Sequence, residues 1–229
     1  CCKVDMKEAY FAIRVHPSHR RYLAIRWKGR TLQHTCLCFG LSSAPYIYTR
    51  LMRAIAEFLR TRGVRLLHYL DDWAFFGSSE LELRRQLEFS LKVLRSLGLL
   101  INEEKSILNP REQMEFLGLV IDTKRARFAI PQDKRRSTER GCQNLLKDKK
   151  ITIRKVARLL GTINFLKRAA PNSVFHTRAL QKLVKPIDPR NNAAYDQIIS
   201  LSEEARKNLF WWKANITHLP AISFIRFSP

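Results

Sequence analysis

The chain has 229 residues, and its 42 Lys and Arg against 20 Asp and Glu give a formal net charge of +22. This surplus favours a polyanionic partner, nucleic acid before an anionic membrane face, although a ribosomal-type or merely soluble basic protein would share it. No run of about 18 uninterrupted apolar residues is present, which argues against a membrane-spanning helix. The five cysteines are odd in number and thinly spread, which favours reduced thiols and an intracellular location, cytoplasmic or nuclear.

The first 40 residues predict three strands. One, over residues 3–10, carries Asp5 and continues in alternation through Phe11, Ile13 and Val15. After a break at His16 and Pro17, strands over residues 22–27 and 31–37 flank a Lys-Gly turn and predict a hairpin.

Two helices and a second hairpin follow. Pro45 is tolerated in the first turn of a helix that Gly63 ends, and its predicted buried stripe is Tyr48, Leu51, Met52, Ile55 and Phe58. Residues 64–70 and 73–76 are apolar strands separated only by Asp71 and Asp72. Ser79 and Glu82 form a capping box before a helix that buries Leu83, Leu87, Leu91 and Leu94.

This order predicts where the acids lie. Strand, helix, two strands and helix are typical of an α+β layer, an antiparallel sheet with helices on one face. Asp71 and Asp72 then occupy a hairpin tip, and the strand from Asp5 can lie beside them. Three carboxylates so placed repel one another unless a divalent cation sits between them.

The second half is mainly helical and basic. Residues 114–121 predict one strand, with which residues 127–130 could pair, and residues 133–147 predict a very basic helix. A helix over residues 152–167 should bury Ile153, Val156, Leu160 and Ile163. Residues 185–192 read as a linker, and residues 193–213 predict a last amphipathic helix through Tyr195, Ile198, Ala205, Leu209 and Trp212.

Five segments resemble motifs A to E of reverse transcriptases, in the family's order: Asp5-Met6-Lys7-Glu8-Ala9-Tyr10-Phe11, Phe39-Gly40-Leu41-Ser42-Ser43-Ala44-Pro45, Tyr69-Leu70-Asp71-Asp72, Leu97-Gly98-Leu99 with Asn102 to Lys105, and Phe116-Leu117-Gly118. The second segment and residues 16–20 are most similar to enzymes of DIRS-like, tyrosine-recombinase retrotransposons. The resemblance implies a polymerase palm with a remnant of the fingers over residues 1–130, a basic helical thumb over 131–185, and a linker with the start of a connection region over 186–229.

The resemblance also implies RNA-directed DNA synthesis by a two-metal mechanism. Asp5 and Asp71 are the expected bridging ligands, Asp72 a supporting one, and Met6 is included in the metal site. Oxygen ligands suit two Mg²⁺ ions, with Mn²⁺ as a substitute. The implied partners are an RNA template, a DNA primer, their hybrid and deoxynucleoside triphosphates, with no membrane.

Several residues inherit substrate roles from the resemblance. Tyr10 would exclude a 2′-hydroxyl by steric clash, unless it is an ordinary strand aromatic. Phe39 and Gly40 would lie against the nascent base pair, and Tyr69 would also contact substrate. Cys38 replaces the family's frequent Pro, a departure that affects the shape of this loop.

Further roles concern the leaving group and the duplex. Lys105 would protonate pyrophosphate, although a lone lysine is usually a solvated charge. Phe116, Leu117 and Gly118 would form the primer grip, or a plain buried strand. The residues expected to track phosphates are Arg154, Lys155, Arg158 and Lys167. Trp211 and Trp212 could stack on nucleic acid, but core positions are the commoner outcome.

Two alternatives stay open. An RNA-copying RNA polymerase shares the acids, but the bulky Tyr10 argues against it. A catalytically inactive nucleic-acid-binding remnant of an element is the other. We expect the chain to be a fragment whose fingers lie upstream and whose ribonuclease H lies downstream, and therefore to be weak or inactive alone.

Overall fold

The computed structural model describes residues 1–170, 172–185, 188 and 190–224, with the backbone alone for Arg168. The chain divides into two compact units, Cys1–Leu117 and Gly118–Pro229. Within the described ranges, no helix combines the length and the apolar character needed to cross a membrane.

The first unit is built on a four-stranded sheet backed by two helices. Its elements are β1 (Cys2–Lys7), β2 (Ala24–Trp27), β3 (Arg30–Gln33), α1 (Ala44–Arg60), β4 (Arg65–Tyr69), β5 (Asp72–Phe76), α2 (Glu80–Ser96), β6 (Leu100–Ile101) and β7 (Gln113–Phe116). The sheet has the order β4-β5-β1-β6, with antiparallel neighbours throughout. The predicted order of strands and helices is confirmed.

One face of this sheet is buried against α1 and α2. Val4 on β1 and the large rings of Trp73 and Phe75 on β5 are fully buried in a core shared with both helices. Because side chains alternate along a strand, the neighbouring residues Asp5 and Asp72 project from the opposite face. The apolar pattern thus determines which face presents carboxylates.

The helix signals in the sequence are largely confirmed. Ser79 accepts a hydrogen bond from the Glu82 N–H at 3.2 Å, but the Glu82 carboxylate accepts from the Ser78 N–H at 2.7 Å, so the capping box closes one residue early. The four predicted leucines of α2 are buried. On α1, the predicted burial of Leu51 and Phe58 is wrong, because the helix turns Ala44, Ala56 and Leu59 inward instead.

The predicted first strand is too long. It ends at Lys7, because Glu8 takes a left-handed conformation with φ of 53° and the chain enters a 3-10 helix over Ala9–Ala12. The predicted continuation through Phe11 to Val15 is therefore wrong. A second 3-10 helix, Pro17–Leu23, begins where the His16 ring nitrogen accepts from the Ser18 N–H.

The hairpin of β2 and β3 is confirmed, although it is shorter than predicted. Its strands pair in antiparallel register from Ala24 opposite Gln33 to Trp27 opposite Arg30. Every residue of both strands is exposed, so this hairpin contributes nothing to the core.

The second unit combines small sheets with helices. Its elements are β8 (Leu119–Asp122), β9 (Arg127–Ala129), α3 (Gln132–Lys147), β10 (Ile151–Thr152), α4 (Ile153–Leu166), α5 (Arg178–Val184), β11 (Ile198–Ile199), α6 (Glu203–Asn215) and β12 (Ile222–Ser223). β9 lies between β8 and β12 in antiparallel pairing, and β10 pairs with β11. The strand predicted over residues 114–121 is interrupted at Leu117 and Gly118, which both have positive φ.

A buried arginine ties α3 to the end of α6. Arg135 is 8% exposed, and its guanidinium donates hydrogen bonds to the backbone carbonyls of Ile130, Ile216, Thr217 and Leu219 at 2.8–3.1 Å. Three of these carbonyls lie beyond the last turn of α6, and that of Ile130 lies just before α3. The guanidinium therefore organises the C-terminal part of this unit.

Helix α4 is confirmed, whereas the last predicted helix is only half right. All four predicted apolar positions of α4 are buried. The helix predicted over residues 193–213 begins only at Glu203, because Ser202 caps it and a 3-10 turn (Asn192–Asp196) and β11 precede it. Of the predicted linker, residues 186, 187 and 189 lie outside the described residues.

Candidate active site

The neighbouring strands β1 and β5 bring the three predicted acids to one edge of the sheet. Asp5 lies directly opposite Asp72 in the antiparallel register. The Met6 N–H donates to the Asp71 carbonyl oxygen at 3.0 Å, which ties β1 to the hairpin tip. Leu70 allows the tight turn between β4 and β5 with φ of 53°.

The acids repel one another electrostatically. The pKa of Asp5 is raised, first by burial and then by the charges of Asp71 and Asp72, while Lys3 and Lys105 oppose the shift. Lys3 also forms an ion pair with Asp72 at 2.6 Å. Negative charge is thus concentrated at this edge and only partly neutralised by the protein.

The carboxylates at this edge provide the type of oxygen ligand that a hard divalent cation prefers. Asp5 and Asp71 supply carboxylate oxygens, and a cation beside them would relieve the repulsion that raises the pKa of Asp5. The Met6 side chain is buried in the core, so only its main chain borders the acids. Within the described ranges, no three His, Cys, Asp or Glu side chains form a ready-made metal site, and the Asp72 carboxylate is paired with Lys3.

A cluster of aromatic rings lies next to these acids. The ring of Tyr10, on the first 3-10 helix, lies 5.2 Å from the ring of Phe39 and 5.7 Å from the ring of Tyr48 on α1. Tyr48 is fully buried and Phe39 is 71% exposed. Tyr10 is therefore held between a core ring and a surface ring.

The structure also places the remaining predicted residues of the first unit. Tyr69 is exposed at the end of β4, opposite Asp72. Gly40 has φ of 91°, a conformation that glycine adopts without strain. Lys105 lies in the turn that follows β6, and its positive charge opposes the rise in the pKa of Asp5.

The predicted primer-grip residues form a tight turn. Phe116 is buried at the end of β7, and Leu117 and Gly118 follow with φ of 47° and 74°. Lys134 donates to the Gly118 carbonyl at 3.0 Å, and a Cβ on Gly118 would lie 2.1 Å from that Lys134 nitrogen. The positive φ favours glycine here, and a Cβ would displace the flexible end of the Lys134 side chain from its hydrogen bond.

The predicted phosphate-binding residues of the second unit differ in whether they already form an ion pair with a carboxylate. Arg154 pairs with both carboxylate oxygens of Asp196, at 2.7 and 2.9 Å, and Lys155 pairs with Asp148. Among the ion pairs of the described residues, none includes Arg158 or Lys167. A cavity of about 560 Å³ between α3 and α4 is lined by the cations Lys147, Lys155 and Arg158 together with the acid Asp148 and neutral residues.

The two tryptophans of α6 occupy different environments. Trp212 is fully buried, and its indole N–H donates to the His176 carbonyl at 2.9 Å. Trp211 stacks on the His176 ring at 4.0 Å. The structure thus gives both rings partners inside the protein.

Sequence reasoning missed two residues of the site. The motifs assign no role to Lys3, yet its ammonium pairs with Asp72. The apolar pattern places Tyr48 in the buried stripe of α1 but does not reveal its contact with Tyr10. The alternation that places Lys3 on the face of Asp5 could have indicated the first, whereas the second required the three-dimensional packing.

The sequence matches the model of the family described as "Reverse transcriptase (RNA-dependent DNA polymerase)" over residues 1–121. That match covers more than half of the chain and includes all three acids. The chain belongs to the reverse transcriptase family.

Comparisons with individual proteins agree with this family. The chain is 27% identical over 184 residues to the Transposon Tf2-3 and Tf2-7 polyproteins of Schizosaccharomyces pombe (strain 972 / ATCC 24843). The alignment covers 80% of this chain and 13% of each polyprotein, so the chain corresponds to a small part of those relatives.

Solved structures share the fold. The foamy viral protease-reverse transcriptase in complex with RNA/DNA hybrid superposes with a TM-score of 0.76 at 20% identity, covering 97% of this chain and 27% of that one. The same protein in complex with dsDNA gives 0.76 at 19% identity, covering 99% and 43%. The predicted fold class, α+β with antiparallel sheets and helices, is confirmed.

Proposed function

We propose that this chain carries the polymerase centre of a retrotransposon reverse transcriptase, which extends a DNA primer on an RNA or DNA template. The observation that supports this most is the pairing of Asp5 with Asp72 across β1 and β5, beside Asp71, in a chain of the reverse transcriptase family. The polyproteins it matches are products of transposons, and a solved structure with its fold holds an RNA/DNA hybrid.

We assign the metal site to Asp5 and Asp71, with Asp72 and the main chain of Met6 in support. Bound Mg²⁺ ions would supply activation of the primer hydroxyl and stabilisation of the charge on the departing pyrophosphate. The protein's own contribution is to fix these carboxylates on paired strands above a packed core, so that little reorganisation is needed. Mn²⁺ would serve as a substitute.

The surrounding side chains would bind and orient the nucleotide. Tyr10 would lie under the incoming sugar and exclude a 2′-hydroxyl, Phe39 and Gly40 would lie against the nascent base pair and template, and Tyr69 would contact substrate. Lys105 is close enough to influence the charge of Asp5, and it would hold a proton for the leaving pyrophosphate.

The nucleic-acid duplex would extend over the helical unit. The predicted primer grip, Phe116 to Gly118, would position the primer end through its tight turn. Of the basic residues on α4 and after it, Arg158 and Lys167 are better placed for phosphates than Arg154 and Lys155, which already have carboxylate partners. The cavity between α3 and α4 gives Arg158 an accessible position.

A magnesium-dependent primer extension tests the proposal. Primed RNA and primed DNA are supplied with deoxy- or ribonucleotides, using the 229-residue chain and any longer open reading frame that contains it. We expect synthesis from deoxynucleotides on both templates. A preference for ribonucleotides would instead indicate an RNA polymerase. Hybrid binding without synthesis in any frame would indicate an inactive remnant.

The subtype is a finer proposal. Residues 16–20 and 39–45 resemble enzymes of DIRS-like elements, and the first of these segments forms the capped 3-10 helix Pro17–Leu23. Sequencing the flanking reading frames checks this assignment. A tyrosine recombinase beside this gene would support it, whereas an integrase of the retroviral kind would contradict it.

A further inference from the structure

Tyr48 combines complete burial with an unpartnered hydroxyl. The side chain has no solvent exposure and lies in the core between α1, α2 and the sheet. Its hydroxyl oxygen is buried and has no hydrogen-bond partner among the described residues. Burying a phenol hydroxyl that makes no hydrogen bond costs free energy that a phenylalanine at this position would not cost. The favourable contribution of Tyr48 therefore comes from the contacts of its ring.

The ring of Tyr48 meets Tyr10 in a defined geometry. The two rings are 5.7 Å apart and nearly perpendicular, with an interplanar angle of 83°. Such edge-to-face contacts are favourable and restrict orientation. The Tyr10 ring also contacts Phe39, a largely exposed ring in a loop. The fully buried ring of Tyr48 is therefore the firmer of the two supports.

We propose that Tyr48 is a positioning residue for sugar discrimination, and that its ring holds Tyr10 where a 2′-hydroxyl would clash. This inference rests on the proposed function, in which Tyr10 borders the incoming sugar. Steric exclusion of a 2′-hydroxyl requires that the ring of Tyr10 does not move aside. Tyr10 lies on a single 3-10 turn, Ala9–Ala12. The position of its ring is therefore fixed by the ring of Tyr48, which lies on a 17-residue helix.

The test compares three substitutions at and around this position in the longest active reading frame. Tyr48→Leu removes the ring, Tyr48→Phe keeps the ring without its hydroxyl, and Ile55→Ala loosens the same core about two turns further along the same helix. The measured quantity is the ratio of kcat/KM for a deoxynucleotide to that for the matching ribonucleotide. We expect Tyr48→Leu to lower this ratio about tenfold, and the other two to leave it unchanged.

A second measurement reports the position of Tyr10 without catalysis. 3-Fluorotyrosine placed at position 10 gives a ¹⁹F resonance whose shift and width depend on the packing of that ring. We expect Tyr48→Leu to shift and sharpen this resonance, and Tyr48→Phe and Ile55→Ala to leave it close to that of the parent protein. Circular dichroism confirms that each variant is folded before it is compared.

The outcomes separate this inference from the proposed function. If Tyr10→Ala fails to admit ribonucleotides, the assignment of Tyr10 is wrong. If Tyr10→Ala admits them but folded Tyr48→Leu keeps full discrimination and an unchanged ¹⁹F resonance, the role of Tyr48 is overturned. Loss of discrimination in Tyr48→Phe would also overturn it, since the hydroxyl rather than the ring would then be responsible.

Discussion

Charged side chains in the two units of this protein differ in whether they have partners inside the protein. In the first unit, Asp5 and Asp72 face each other across paired strands beside Asp71, and the pKa of Asp5 is raised by burial and by those charges. In the second unit, Arg154 has the carboxylate of Asp196 as its partner, and Arg135 has four backbone carbonyls. Repulsion between carboxylates is thus only partly relieved at the acid edge, whereas these two arginines of the second unit have partners inside the protein.

This difference separates residues that serve a ligand from residues that serve the fold. Carboxylates held together without full compensation lower stability unless a cation joins them, so their retention points to binding. A charged side chain whose hydrogen-bonding groups already have partners inside the protein needs no ligand to satisfy them. The same criterion divides the basic residues of α4, because Arg154 is paired and Arg158 has no ion-pair partner among the described residues.

The largest effect is expected for Asp71→Asn. Because this carboxylate is a proposed metal ligand, primer extension by the longer reading frame should fall about a thousandfold or more. The melting temperature should stay constant or rise, since the substitution removes one of the charges that raise the pKa of Asp5. Initial rates with saturating Mg²⁺ and differential scanning calorimetry measure the two quantities.

Glu57→Gln is the matched control, because Glu57 is an exposed acid on α1. We expect it to change neither rate nor melting temperature. Activity of Asp71→Asn within tenfold of the parent would contradict the metal assignment. A large fall in its melting temperature would place Asp71 among the structural charges instead.

The next largest effect concerns stability alone. Arg135→Met removes the donor to four carbonyls and leaves those of Ile216, Thr217 and Leu219 without it. Unfolding in urea should show a loss of about 3 kcal/mol, because buried carbonyls are left unsatisfied. Arg136→Met, an exposed neighbour on the same helix, should cost little. Equal losses in both variants would show that the carbonyl contacts of Arg135 contribute little.

The acid edge could be predicted from sequence because it depends on local pattern. Apolar strands on both sides of Asp71 and Asp72 force a hairpin, and strand alternation sends Asp5 to the face opposite the core. The charge pairing of the second unit could not be predicted, because the partner of Arg154 lies 42 residues later. The early end of β1 also escaped prediction, since alternation continued past Glu8 while its backbone turned left-handed.

A moderate effect should distinguish Arg158 from Arg154 in nucleic-acid binding. Arg158→Ala should weaken binding of an RNA/DNA hybrid roughly fivefold and reduce the slope of log K against log salt by about 1. Arg154→Ala should leave that slope unchanged and cause only a small loss of stability, because its guanidinium is bound to Asp196. Fluorescence anisotropy across a salt series measures both. A larger slope change for Arg154→Ala would reverse the assignment.

The smallest effect is a pH dependence of stability whose sign differs between the lowered pKa of Asp122 in the second unit and the raised pKa of Asp5 at the acid edge. Asp122 is buried at the end of β8, and its pKa is lowered by the Arg125 N–H and by the guanidinium groups of Arg127 and Arg125. A carboxyl whose folded pKa lies below its unfolded value, about 4, stabilises the protein above that value. The stabilisation is then lost as the pH falls through the folded pKa.

Asp122→Asn should therefore lower the melting temperature at pH 7 by more than at pH 3, because pH 3 lies below the unfolded pKa of about 4 and part of this stabilisation is already lost there. Glu104→Gln, at an exposed carboxylate, should follow the parent at every pH. Melting curves at constant ionic strength between pH 3 and 7 decide the matter. A constant difference between Asp122→Asn and the parent would mean that shape and hydrogen bonding, not charge, account for this residue, and would weaken the contrast between the two units.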